Sequence, residues 1–278
     1  MSHGIPASPN RGSSDARPGE LLPSDGIPNL RDVGGYETSD GHRVRLGLLY
    51  RSTALDRATD ADLERLAERG IRTVFDLRTV AERAAAPDRV PRGAAEMALD
   101  VMADAPGASP ARVAQLASQP QKASKLLARA DVDSTFDTAY RGLVSLPSAR
   151  ASYHDLFLAI ADDASLPALY HCTTGKDRTG WATAALLLLL GVPEKSVVED
   201  YLLSNGYLLA GLQQVLDGFA ARGGDPELLK PVLGVKARYL ETALTEVHAA
   251  YGTVEDYFDR GLDLNATVQQ RLRDIFLE

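Results

Sequence analysis

The stretch that most limits how this chain can fold is His171-Cys172-Thr173-Thr174-Gly175-Lys176-Asp177-Arg178-Thr179-Gly180. Residues 166–171 before it read as a strand, and the very apolar run 181–192 after it reads as a buried helix, too short to span a bilayer. The loop therefore sits at a strand-to-helix junction. There the backbone N–H groups of Thr173 to Arg178 are expected to converge in front of Cys172, backed by the helix dipole. Such a nest suits a tetrahedral dianion.

The side chains fit phosphoryl transfer to sulfur. A thiol attacks as thiolate, and a helix N-terminus with cations beside it favours that state. Arg178, six positions after Cys172, can grip two phosphate oxygens with a planar fork that lysine does not reproduce. Gly175 permits a positive φ and a close approach of backbone to phosphate. Thr173, Thr174 and Thr179 complete the cradle, and the Thr179 hydroxyl is expected on the Cys172 sulfur when that sulfur leaves. His171 is expected to orient the loop. Lys176 adds a charge that phosphotyrosine alone does not require, which points to substrates with several phosphates or a lipid headgroup.

The leaving oxygen needs a proton. Asp177, inside the loop, is the first candidate, and its alternative role is an ion pair with Arg178 or Lys176. Asp100 and Asp104 follow a weakly patterned strand at 95–101 and are alternative acids. Asp76 ends another strand and reads as an acid or as structural support.

The spacing elsewhere predicts an α/β chain. Residues 47–51 read as a strand, and Thr59, Asp62 and Gly70 bound a short amphipathic helix. Residues 71–77 form a β-rich run of the kind that enters a parallel sheet, and 80–86 read as helix. The Ala-, Ser- and Gln-rich segment 103–148 has little strong patterning and reads equally as an inserted helix or mobile cover and as a fixed core element. A helix is predicted at 152–163, and from Glu194 onward the chain reads as almost entirely helical, with a hinge at 221–226. Arg31 and Asp32 pair across a turn or support the site. Residues 1–23 are expected to be a flexible tail, and residues 24–278 a single domain.

A net charge of −8 argues against a general nucleic-acid binder, so an anionic substrate must be held by a local positive site. One cysteine excludes an internal disulfide or a multi-cysteine zinc site and fits a reducing compartment. With no apolar h-region at the N-terminus, the expected location is the cytoplasm, with non-classical secretion as the alternative. No cofactor, metal or integral membrane segment is expected. The sequence sets no oligomeric state.

Four groups of residues together resemble a bacterial family of tyrosine phosphatases that has lipid-phosphatase relatives. They are Asn29-Leu30-Arg31-Asp32-Val33-Gly34-Gly35-Tyr36, Phe75-Asp76-Leu77-Arg78, the loop from His171 to Gly180, and the C-terminal stretches 200–205, 234–240 and 251–254. The resemblance runs from about Asn29 to the end. It implies a cysteine-phosphatase fold, with a mostly parallel central sheet, flanking helices and additional C-terminal helices covering the site. It implies no metal, and activity on phosphotyrosine that extends to phosphoserine, phosphothreonine and phosphoinositides. By the same resemblance Cys172 is the nucleophile, Arg178 binds phosphate, and Lys176 and Asp177 belong to the active site. The acid-bearing loop of some relatives has no unambiguous match, which leaves Asp100 and Asp104 open. One rival is a pseudophosphatase that binds phosphorylated partners without turnover, against which the intact Cys172, Asp177 and Arg178 speak. Another is a sulfurtransferase or an arsenate reductase; the latter usually needs further thiols.

Overall fold

In this computed structural model, residues 17–105, 121, 124–125 and 131–278 are described. Five short strands form one sheet: β1 (Arg31–Asp32), β2 (Leu49–Ser52), β3 (Thr73–Asp76), β4 (Ala95–Ala98) and β5 (Ala168–His171). Their order is β1-β2-β5-β3-β4, with β1 antiparallel to β2 and the other neighbours parallel. β2 and β5 are buried at every residue, as parallel strands covered on both faces must be. Alternation along the strands divides the core. Phe75 and Tyr170 enter one cluster with Trp181 and Leu186, while Val74 and Leu169 enter another with Ile27, Leu55 and Leu66.

The helices are α1 (Asp60–Glu68), α2 (Val80–Ala85), α3 (Val132–Ser145), α4 (Pro147–Ile160) and α5 (Arg178–Leu189). They continue with α6 (Glu194–Ala221), α7 (Pro226–Leu233), α8 (Ala237–Ala250) and α9 (Ala266–Phe276). α1 starts at the expected Thr59–Asp62 capping box, and Gly70 past its end has φ +73°. α2 has a capping box of its own, Thr79 with Glu82. The hinge region at 221–226 is the break between α6 and α7. Among the described residues no helix is long and apolar enough to cross a membrane.

Register places the site. Ser52 and Asp76 both lie level with His171, so three strand ends meet where β5 passes into Cys172. β5 lies between β2 and β3, and loops at the carboxyl ends of such strands form the ligand crevice of open parallel sheets.

Two expectations change. The strand expected at 95–101 stops at Ala98, because β4 is an exposed edge with a partner on one side only. The tail expected to reach Pro23 is fixed from Arg17 onward: Leu22 N–H donates to Leu30 O at 2.9 Å, and the Tyr207 hydroxyl donates to Gly19 O at 2.9 Å. Residues 1–16 lie outside the described residues. Much of 103–148 does too, but α3 and the start of α4 fall within it.

Candidate active site

Cys172 follows directly on β5 and is 1% exposed. Gly175 turns the loop with φ +65°, and a Cβ there would stand 2.1 Å from Ser52 O, so only glycine fits. Among the described residues no acceptor is found for the backbone N–H groups of Thr173 to Arg178. Six successive N–H groups without an acceptor leave the loop free to take up an anion, as an anion nest would require.

Arg178 opens α5, and its guanidinium is clamped by Glu82. Nη1 donates to Glu82 Oε2 at 2.8 Å and Nη2 to Oε1 at 2.9 Å, with further bonds to Leu77 O at 3.2 Å and Thr173 Oγ1 at 3.3 Å. Nε makes no hydrogen bond among the described residues. Burial opposes the charge on Arg178, but Cys172 and Glu82 outweigh it and hold the guanidinium above its ordinary range. Burial likewise opposes the charge on Glu82, yet the Arg178 bond pulls its carboxyl down to about 2. The Tyr153 hydroxyl donates to Arg178 O at 3.0 Å and fixes the helix start.

α3 lies over the other side of the loop. Lys176 is buried, with Nζ 2.7 Å from Asp177 Oδ2 and 4.8 Å from the Phe136 ring centre. The Tyr140 hydroxyl donates to Asp177 Oδ1 at 2.8 Å and lies 2.5 Å from the Tyr201 hydroxyl. Burial, and then the Asp177 charge, push the Tyr140 phenol well above its ordinary range, so it stays a donor. The ion pair of Asp177 is therefore with Lys176.

The other acids are bound elsewhere. Both Asp76 oxygens accept from Arg78, at 2.7 to 3.1 Å. Asp100 accepts from Val80 N–H at 3.0 Å and so caps α2, while Asp104 accepts from Ser148 N–H at 3.1 Å at the start of α4. His171 Nε2 lies 3.0 Å from Asp88 Oδ2, and its Nδ1 lies 3.1 Å from Cys172 O, which ties the imidazole to the loop backbone. Asp76, Asp88 and His171 bring ligand-type atoms within 4.8 Å of one another. Arg78 Nη2 stands 2.7 Å from oxygens of both carboxylates and already supplies the positive charge they call for. The Thr179 hydroxyl, expected on the Cys172 sulfur, is buried with no hydrogen-bond partner among the described residues. Arg31 pairs with Asp200 and not with Asp32, whose oxygens instead accept from Gly34 and Gly47 N–H at 2.7 Å.

Sequence reasoning missed Glu82, Asp88, Tyr153 and the roles of Tyr140 and Arg51. Only Glu82 carried a local signal, the Thr79–Glu82 spacing of a capping box; the others join the site across long sequence separations.

Comparison with known proteins gives a consistent result. A sequence profile described as the tyrosine phosphatase family matches residues 22–278. A provisionally named tyrosine-protein phosphatase of Cupriavidus necator is 31% identical over 273 residues, covering 94% of this chain and 90% of that one. The triple specificity protein phosphatase PtpB of Mycobacterium tuberculosis is 31% identical over 279 residues, covering 91% of this chain and 97% of its own length. A tyrosine-protein phosphatase of Nostoc commune is 30% identical over 217 residues, covering 74% of this chain and 67% of that one.

Proposed function

Because the chain belongs to the tyrosine phosphatase family, we propose that this protein-tyrosine phosphatase works through a phosphocysteine on Cys172 and accepts a broad range of phosphomonoesters. The observation that supports the mechanism is the run of N–H groups from Thr173 to Arg178 that have no acceptor among the described residues, directly after Cys172 and ending at the clamped Arg178. Cys172 Sγ attacks phosphorus, an S–P bond forms, and the bond to the leaving oxygen breaks. The nest and Arg178 hold the equatorial oxygens, where negative charge is stabilised in the transition state. Asp177 gives its proton to the leaving oxygen. In the second step Asp177 takes a proton from water, water attacks phosphorus, and the thiolate departs. The Lys176 and Tyr140 bonds to Asp177 suit the carboxylate state that serves this second step. The helix-capping bonds of Asp100 and Asp104 and the Arg78 clamp on Asp76 favour Asp177 over them.

Two supports bear on breadth. One relative is named a triple specificity phosphatase, and Lys176 places a second cation beside Arg178 in the loop. A second phosphate, as on a phosphoinositide headgroup, would reach Lys176 once the Phe136 and Asp177 contacts are given up.

The test is phosphate release from p-nitrophenyl phosphate, phosphotyrosine, phosphoserine and phosphothreonine peptides and phosphoinositides, with EDTA present, by wild type and Cys172→Ser. Turnover of several classes, lost in Cys172→Ser, with phosphate label on the protein after rapid quench that is lost in mild acid, is the expected result. Turnover of phosphotyrosine alone would refute breadth. Phosphopeptide binding without turnover by wild type would make the protein a pseudophosphatase.

A further inference from the structure

The N-terminal motif and α6 meet at the loop, where both touch the Gly175 carbonyl or the groups that hold it. Asp200 is buried and takes both Arg31 and Arg51: Arg31 Nε lies 3.2 Å from its Oδ1 and Arg51 Nη1 lies 2.8 Å from its Oδ2. The Tyr36 hydroxyl donates to the same Oδ1 at 2.9 Å. Arg51 Nη2 then donates to Gly175 O at 2.8 Å, and Asn29 Nδ2 reaches the same carbonyl at 3.2 Å. Asn29 is itself held by Arg31 Nη1 and has φ +60°.

We propose that Arg51, assisted by Asn29, is a positioning residue that sets the Gly175–Lys176 peptide and places an excess positive charge behind the phosphate. This rests on the phosphatase reading of the loop and extends it to residues outside it. The peptide that carries Gly175 C=O also carries Lys176 N–H. Two donors on the carbonyl pin the plane of that peptide and polarise its N–H, which belongs to the nest. Gly175 could otherwise rotate freely, since it has no side chain to restrict it.

The charge count makes the same point. Two fully buried arginines share one buried carboxylate, and no second carboxylate bonds either of them among the described residues. Arg51 Nε has no hydrogen-bond partner among the described residues. Burial, followed by the nearby Arg31, lowers the basicity of Arg51, which is what an undercompensated pair of cations produces. Leaving a buried charge short of partners is costly unless an anion arrives beside it. A phosphate in the nest is such an anion.

Titration calorimetry with inorganic phosphate tests this, on the full chain and without reliance on turnover. In Arg51→Gln the phosphate Kd should rise about tenfold, the loss of one charge-assisted hydrogen bond. Arg51→Lys keeps the charge and should recover most of that affinity. KM for p-nitrophenyl phosphate should follow the phosphate Kd, and kcat should fall as well. Asn29→Gly tolerates the positive φ, removes the second donor, and should raise Kd by about threefold. If Arg51→Gln does not fold, Asn29→Gly decides. A folded Arg51→Gln or Asn29→Gly that binds phosphate like wild type overturns the proposal, even if its melting temperature drops. A wild type that binds phosphate without turnover refutes the phosphocysteine mechanism alone, and the same Kd values still judge Arg51.

Discussion

Glu82 does at long range what the loop cannot do for itself: it fixes Arg178, the arginine proposed to hold the phosphate. Glu82→Gln keeps the shape and removes the charge, so kcat/KM should fall by about a hundredfold as Arg178 loses its orientation. The same carboxyl carries a pH signature. It is held at about 2 against an ordinary 4.5. Its stabilisation, about 3 kcal/mol, is therefore complete above the higher value and lost as pH falls toward the lower. Urea unfolding of wild type and Glu82→Gln in acid should show the wild type losing more stability over that interval. Gly175→Ala forces a Cβ to within 2.1 Å of Ser52 O at a left-handed φ. A loss of about 2–4 kcal/mol, read by the same unfolding experiment, is expected together with loss of phosphate binding. Cys172, Gly175 and Arg178 could be proposed from sequence because phosphocysteine chemistry needs those residue types at fixed spacing in one loop. Glu82 was not, because its partner lies 96 residues away and its capping box is complete without any active site.

Elements place these groups. α1 and the strands around β5 could be read from caps and apolar runs, since their signals are local. α3 could not be assigned, because its meaning lies in what it touches. Phe136 stacks on Tyr239 of α8 with ring centres 4.6 Å apart, and Tyr140 reaches both Asp177 and Tyr201. These contacts join segments that lie 37 and 61 residues apart for Tyr140 and farther still for Phe136. Tyr140→Phe removes one donor from Asp177 while keeping the buried ring. The basic limb of the pH–rate profile should move to higher pH for poor leaving groups, with the melting temperature nearly unchanged. An unmoved limb would take Asp177 out of the proton-transfer role.

For the whole molecule, the resemblance to a phosphatase family extended over nearly all the chain and predicted the layered sheet, yet the burial of Asp32 was invisible in it. Burial lifts the Asp32 carboxyl to about 6 from an ordinary 3.8, against the pull of the Gly34 and Gly47 N–H bonds. A raised carboxyl favours the folded state below its ordinary value and loses that advantage as pH climbs through about 6. Up to about 3 kcal/mol should disappear between pH 4 and 7, and Asp32→Asn should flatten that slope in unfolding titrations. The strand order also has a consequence for biosynthesis. β2 and β3 do not bond to each other; each bonds to β5, more than ninety residues later than β3. A nascent chain emerging from the ribosome can form two separate ribbons, β1 with β2 and β3 with β4, but no continuous sheet. The strand that joins them is the one that runs into Cys172, so the proposed nucleophile gains its surroundings only when the sheet closes. On that mechanism an unfinished chain would be chemically silent.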